Sequence, residues 1–303
     1  MAIRPFLELV RFSHTLFALP FALLSALMAA SLTPTAVPLW YWAGIVLAMV
    51  TGRTVAMGFN RIVDRSIDGS NPRTAMRHLA AGKIRLGSAV ALTALSAVAF
   101  IGSTMLFLPC NPLPLFLSVP VLAFLCAYSY TKRFTVFAHF WLGAALMLAP
   151  ISAWIAMRGL EVMNDPADLY PALVLGCGVL FWVAGFDVIY ACQDAAFDAG
   201  SGLFSIPGRF GVRRALQLAR LLHLVAVVFF AALPLVYPLL GWIYLSGVGA
   251  IAVLLIYEHA IVRPDDLDRV NTAFFHCNAV ISIGLLVVTA IDLSLVAKGA
   301  AGG

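Results

Sequence analysis

Residues 38–68 read PLWYWAGIVLAMVTGRTVAMGFNRIVDRSID: an apolar run closed by Asn60, Asp64 and Asp68 at four-residue spacing. The run is long enough to cross a bilayer, which takes roughly 20 apolar residues. Its interior holds one charge, Arg53. Residues four apart on a helix lie on one face, so Asn60, Asp64 and Asp68 form a polar edge at the mouth of an apolar segment. Carboxylates this close to an apolar span are costly, and function is their default explanation.

The pattern returns in the second half of the chain. Asp187, Asp194 and Asp198 close another apolar run, with Asp194 and Asp198 four apart and Asp187 two turns earlier. Asp64-x3-Asp68-Gly-Ser and Asp194-x3-Asp198-Ala-Gly-Ser each follow an even-numbered apolar stretch and open a long basic loop. A weak internal duplication of a four-helix unit would produce such a repeat, and packing about a pseudo-symmetry axis would bring both acidic faces over one cavity.

Of the 303 residues, 62% are hydrophobic and 11% are charged, which is more apolar surface than a soluble core needs. Nine apolar stretches run near 12–32, 38–62, 86–108, 113–130, 135–157, 169–193, 215–237, 239–262 and 273–296. The expected fold is therefore an all-α, polytopic membrane helix bundle of about nine transmembrane helices around a central cavity, with 1–303 as a single membrane-embedded domain. Pro112, Pro114 and Pro120 interrupt the fourth stretch. The first follows two arginines and reads as a signal anchor, because further spans come after it.

Charge placement tests the count. With a cytoplasmic N-terminus, Arg4, Arg11 and the basic residues of the second, fourth, sixth and eighth loops all fall inside. Only Arg158 and Lys298 fall outside, and Arg53 lies within a span. That is the positive-inside bias, and it puts both acidic loops on the cytoplasmic side; the expected location is the plasma (inner) membrane of a prokaryote. Orientation accounts for the net charge of +5, so no nucleic-acid partner is implied. The five cysteines lack C-x-x-C spacing and indicate neither a disulfide framework nor a zinc site. His14, His223, His259 and His276 read as packing or hydrogen-bonding residues of spans. A haem or copper site would need them paired across helices.

Carboxylates facing one cavity repel, by about 4 kcal/mol per pair at 4 Å and an effective dielectric of about 20. Protons or cations must neutralise them. An all-oxygen set suits Mg²⁺, which takes one or two carboxylates and completes its octahedron with phosphate oxygens and water. The same loops carry Arg73, Arg77, Lys132, Arg133 and Arg209, cations suited to diphosphate oxygens. For any one of them the plainer reading is a topology determinant or lipid contact.

Three ordered runs carry a family resemblance. Asn60-Arg-Ile-Val-Asp64-Arg-Ser-Ile-Asp68-Gly-Ser-Asn-Pro-Arg-Thr resembles the first signature of the UbiA-type membrane prenyltransferases. Tyr128-Ser-Tyr-Thr-Lys132-Arg133 resembles their central loop, and Asp187-Val-Ile-Tyr-Ala-Cys-Gln-Asp194-Ala-Ala-Phe-Asp198 their second signature. The resemblance spans essentially the whole chain. It implies Mg²⁺-dependent transfer of a prenyl chain from a polyprenyl diphosphate to an aromatic acceptor within the lipid bilayer. On that reading Asn60, Asp64, Asp68, Asp194 and Asp198 hold Mg²⁺ ions that bridge the diphosphate. Arg73, Arg77, Lys132 and Arg133 bind its free oxygens, and Asp187, or a backbone or water acceptor, removes the ring proton. Tyr128, Tyr130 and Tyr190 shield the cationic allylic carbon.

Arg53 bears on the acceptor. It lies seven residues before Asn60, on the same helix face, and a carboxylate on an aromatic substrate would pair with it. A fixed ion pair with Glu258 or Asp187 is the structural alternative. The resemblance favours an aromatic acid with a ring hydroxyl, 4-hydroxybenzoate first and a hydroxynaphthoate second, in ubiquinone or menaquinone biosynthesis. A tetrapyrrole acceptor would not need Arg53. Arg61 stands where many relatives carry an aspartate. An ion-coupled transporter is the competing class, and it would place its acids mid-span rather than at helix ends beside basic loops.

Overall fold

The computed structural model describes residues 17–33, 36–108, 110–267 and 269–301. Nine principal helices cover most of them: α1 Leu19–Ser31, α2 Leu39–Val63, α3 Leu86–Thr104, α4 Leu113–Thr131, α5 Ala138–Asn164, α6 Tyr170–Ala191, α7 Val212–Val236, α8 Trp242–Ile261 and α9 Asn278–Ala301. Among the described residues there is no strand, only an isolated bridge between Arg263 and Asp266. The fold is all-α. Eight helices are long and apolar enough to cross a membrane, and α1 contributes a shorter apolar helix of 13 residues. Residues 12–16 of the expected first span, with Arg4, Arg11 and His14, lie outside the described residues, as does the Lys298 side chain.

The prolines expected to interrupt the fourth span are absorbed by it. Pro112 is the N-cap residue of α4 and Pro114 sits in its first turn, where a missing N–H costs nothing. Pro120 lies inside a helix that continues to Thr131. In lipid a carbonyl freed by proline needs a new partner, and α7 shows how one is found. Pro234 cannot donate to the Phe230 carbonyl, and the Tyr244 hydroxyl of α8 donates to that oxygen instead, at 2.8 Å. In α5 the chain kinks at Arg158 (φ −130°, ψ 32°), and Asn111 Nδ2 donates to the Ile155 and Ala156 carbonyls at 2.6 and 3.1 Å.

Lipid tails are as apolar as leucine, so the helices are held by close packing rather than by escape from water. Ala18, Ala22 and Ala26 on and just before α1 meet Ile45 of α2 and Ala149, Ala153 and Ala156 of α5, letting the backbones approach. The aromatic centre, with Phe21 at 5.2 Å from Trp182 and 6.0 Å from Phe230, joins α1, α6 and α7. Helix α6 packs between α5 and α7, and two-thirds of its apolar window is buried, against a third or less in the other spans. Helix α2 packs on α3 and α4. The gap between this group and α5 is the cavity described next.

Candidate functional site

Both acidic motifs are built alike. Helix α2 stops at Val63; Asp64 breaks it (φ −92°, ψ 9°) and a six-residue helix, Arg65–Ser70, follows with Asp68 buried. Helix α6 stops at Ala191; a 3-10 turn ends at Asp194 (φ −104°, ψ 4°) and a six-residue helix, Ala195–Gly200, follows with Asp198 buried. The four-residue spacing survives the first break, because Asp64 N–H still bonds the Asn60 carbonyl and Asp68 N–H the Asp64 carbonyl, at 2.9 and 2.7 Å. One continuous helical face, expected from spacing alone, is therefore two helical pieces joined at an aspartate.

Cations from other segments cross-link these pieces. Arg73 Nε donates to Asp194 Oδ1 at 2.7 Å, its Nη2 forms a second short bond to Oδ2, and its Nη1 reaches the Tyr190 hydroxyl at 2.9 Å. Asn71 Nδ2 also donates to Asp194 Oδ1, at 3.0 Å. Arg77 Nη1 donates to Asp68 Oδ1 at 2.6 Å, and Arg61 Nη1 stands 3.6 Å from Asp68 Oδ2. Asp64 accepts from Asn60 at 2.7 Å and from Arg133 at 3.0 Å. Lys132 Nζ lies 4.0 Å from Asp198 Oδ2, so the adjacent residues Lys132 and Arg133 reach one acid of each motif.

The neutralising charge that the acids require is thus supplied by the chain itself. Arg61, Arg73, Arg77, Lys132 and Arg133 surround Asp64, Asp68, Asp194 and Asp198. Burial raises the Asp64 carboxyl above the ordinary carboxylate value, more than the Arg133 hydrogen bond lowers it. Burial works against the charge on Arg73, but the Asp194 carboxylate outweighs it and raises the guanidinium above its ordinary value.

Beneath this polar layer lies an apolar cavity with an empty volume of about 1300 Å³ including its open mouth. Arg53, Asn60 and Tyr128 line it among apolar groups such as Met49, Leu125 and Phe107. Tyr128 stands at the junction of the two layers, where its hydroxyl feels the charges of Asp187 and Asp64. The cavity therefore offers a long hydrocarbon a dry seat and a polar group an exit into a layer of cations and carboxylates.

The remaining expected residues lie apart from the ion-pair layer or at its rim. Asp187 pairs with His139 of α5, Nδ1 to Oδ2 at 2.7 Å. Arg209 is exposed on the turn Ile206–Phe210, which packs against Asp198. Tyr130 is exposed, with the Arg133 guanidinium 5.3 Å from its ring centre. Glu258 is buried beside His223 at 3.9 Å, and His223 Nδ1 stands 3.0 Å from His259 Nε2. Sequence reasoning missed Asn71, Arg61 and His139 as members of the site. A histidine directly after Thr135-Val-Phe-Ala138, at the start of an apolar run and with Asp187 in another span, would have been the available signal for the last.

A divalent cation would find only oxygens here. Among the described residues no three His, Cys, Asp or Glu side chains stand close enough to hold a metal ion by themselves. Among the described residues Asp198 Oδ2 is buried with no hydrogen-bond partner, Lys132 Nζ standing 4.0 Å away. That donor set fits an ion which takes one or two carboxylates and fills its shell with water and phosphate.

Comparison with known proteins follows the same line. The model of the UbiA prenyltransferase family matches residues 18–280. A 4-hydroxybenzoate octaprenyltransferase of Aromatoleum aromaticum is 31% identical over 245 residues, covering 80% of this chain and 79% of the relative. The apo structure of a UbiA homologue from Aeropyrum pernix K1 superimposes with a TM-score of 0.75 at 29% identity, covering 93% of this chain and 97% of that one. A UbiA homologue from Archaeoglobus fulgidus, solved bound to GPP and Mg²⁺, shares the fold with a TM-score of 0.68 at 20% identity, over 96% of this chain and 99% of that one.

Proposed function

The chain belongs to the UbiA prenyltransferase family and is an integral membrane prenyltransferase; from that premise we propose that it transfers a polyprenyl chain from its diphosphate to the ring of 4-hydroxybenzoate, with Mg²⁺. The observation that carries the reading is the cavity. Arg53, Asn60 and Tyr128 line one apolar chamber, and Asn60 bonds Asp64 at 2.7 Å in the ion-pair layer above. A cation suited to a carboxylate and a layer suited to a diphosphate thus sit at two levels of one space. The relatives named as 4-hydroxybenzoate octaprenyltransferases support this acceptor, and the Archaeoglobus homologue bound to GPP and Mg²⁺ supports this donor and metal.

The contacts support the following roles. Asn60, Asp64 and Asp68 on one side, and Asp194 and Asp198 on the other, are the oxygen donors for Mg²⁺. Bound there, Mg²⁺ would neutralise the charge that builds on the departing diphosphate. Arg73, Arg77, Lys132 and Arg133 exchange their aspartates for diphosphate oxygens, so the cations that balance the empty site become the clamp of the loaded one. Arg209, at the rim, adds to that clamp. Tyr128 and Tyr190 present aromatic faces to the allylic carbon as it becomes positive. Arg53 holds the acceptor carboxylate, which aims the electron-rich ring carbon at that carbon. A carbon–carbon bond forms, the carbon–oxygen bond breaks with its electron pair leaving on the diphosphate, and Asp187 takes the ring proton.

The whole chain acts as one membrane-embedded domain, with its N-terminus and the mouth of the site on the cytoplasmic side of a prokaryotic inner membrane. The reading is tested with purified protein in lipid vesicles, a polyprenyl diphosphate and 4-hydroxybenzoate or a hydroxynaphthoate. Product that forms with Mg²⁺ and disappears with chelator is the expected result. Diphosphate binding without product from any aromatic acid would sink the acceptor assignment.

A further inference from the structure

Helix α5 buries His139 completely between two partners on different elements. Its Nδ1 is 2.7 Å from Asp187 Oδ2 on α6, and the Ile206 backbone N–H donates to its Nε2 at 3.4 Å. A backbone N–H can only donate, so Nε2 must offer a lone pair and the ring proton must sit on Nδ1. The imidazole is then neutral, with one tautomer fixed by geometry. It donates to Asp187 and accepts from the first residue of the turn Ile206–Phe210.

Each partner bears on the site. Asp187 is close enough to Tyr128, a cavity residue, for its charge to be felt at the phenol. The Ile206–Phe210 turn carries Arg209 and seats Gly208 against Ser205 and Asp198; a Cβ at Gly208 would come within 3.2 Å of the Asp198 side chain. A half-buried carboxylate with one oxygen held by a histidine is fixed in orientation, which is how a second partner aims an acid or base.

We infer that His139 is a positioning residue for prenyl transfer: its Nδ1–H fixes the Asp187 carboxylate toward the reacting ring, and its Nε2 fixes the turn that closes over Asp198. This rests on the reading of Asp187 as acceptor of the ring proton. The two links separate by substitution. Asn at 139 places an amide donor near the Nδ1 position and keeps the Asp187 link, whereas Gln places an amide oxygen near the Nε2 position and keeps the turn.

The test measures kcat, both KM values and the primary isotope effect for acceptor deuterated at the reacting ring position. His139→Gln is expected to lower kcat about a hundredfold, the scale of general-base catalysis, with the KM for diphosphate unchanged and an enlarged isotope effect. His139→Asn is expected to retain near wild-type kcat and isotope effect while raising the KM for diphosphate. The double variant His139→Gln/Asp187→Asn should be no slower than Asp187→Asn alone, since residues acting as one unit are not additive. Equal losses in both His139 variants with an unchanged isotope effect would overturn the inference. Nitrogen-15 NMR of histidine-labelled protein decides the geometry whatever the acceptor proves to be. A ring protonated at Nδ1 alone is expected, and one protonated at Nε2 or at both nitrogens rules the assignment out, even if the wild-type protein prenylates no aromatic acid.

Discussion

The two acidic motifs share a backbone and differ in how they are held. At the end of α2, Asp64 keeps a side chain 23% exposed and is met by Asn60 of its own helix and by an Arg133 that is itself 39% exposed. At the end of α6, Asp194 is 9% exposed and gripped through both oxygens by Arg73, with Asn71 as a further donor. Both grips come from the loop that follows the first motif. The first half of the chain therefore organises the second, and the adjacent Lys132 and Arg133 add a tie between the motifs by meeting Asp198 and Asp64. The difference teaches that one acid is presented and the other is stored, although the two look equivalent in sequence.

The comparison breaks first at turnover. If both motifs supply oxygens to the metal, Asp64→Ala and Asp194→Ala each lower kcat by about 10³-fold or more, measured as Mg²⁺-dependent product formation in vesicles. Activity retained in either one would make that motif structural. Upstream of the motifs the helices differ again: α2 brings Arg53 to the cavity, while α6 brings Asp187 to His139. Arg53→Ala is expected to raise the KM for the aromatic acid by about 10²-fold, the loss of a charge-assisted hydrogen-bonded pair, and to leave the KM for diphosphate within a factor of about two. An equal rise in both would return Arg53 to the scaffold.

A smaller effect sharpens the contrast between presented and stored. Asp194→Ala strips Arg73 and Asn71 of their acceptor and should destabilise the protein by about 2 kcal/mol, the scale of hydrogen bonds to a charged group. Asp64→Ala should cost less than about 1 kcal/mol, since its partner Arg133 is open to water. Thermal unfolding in detergent without metal reads the difference, and equal shifts would deny it.

Most of the architecture was legible because bilayer thickness forces long apolar runs. The nine stretches find their helices, although the seventh begins earlier, at Val212, and a π-helical turn, Ala273–Cys277, precedes α9. The break at Asp64 was not legible, since four-residue spacing reads the same across a helix and across two helical pieces joined at one residue. Which cation meets which acid was also hidden, because the decisive pairs join residues far apart in sequence, such as Arg73 with Asp194. Arg61 was noticed only as a departure from a pattern, yet it is 6% exposed and stands among the acids. Pairing of His223 with His259 across α7 and α8 is likewise a tertiary fact, and those rings bond each other.

The proline in α7 has a consequence for how such a chain drifts over generations. The Phe230 carbonyl is released by Pro234 and taken up by the Tyr244 hydroxyl, so the two residues behave as one heritable character. Tyr244→Phe alone should cost about 1 kcal/mol, while in a Pro234→Ala background, where the backbone reclaims its carbonyl, the same change should cost close to nothing. A lineage can lose the proline first and the hydroxyl afterwards. The opposite order passes through an ancestor with an orphaned carbonyl in the bilayer.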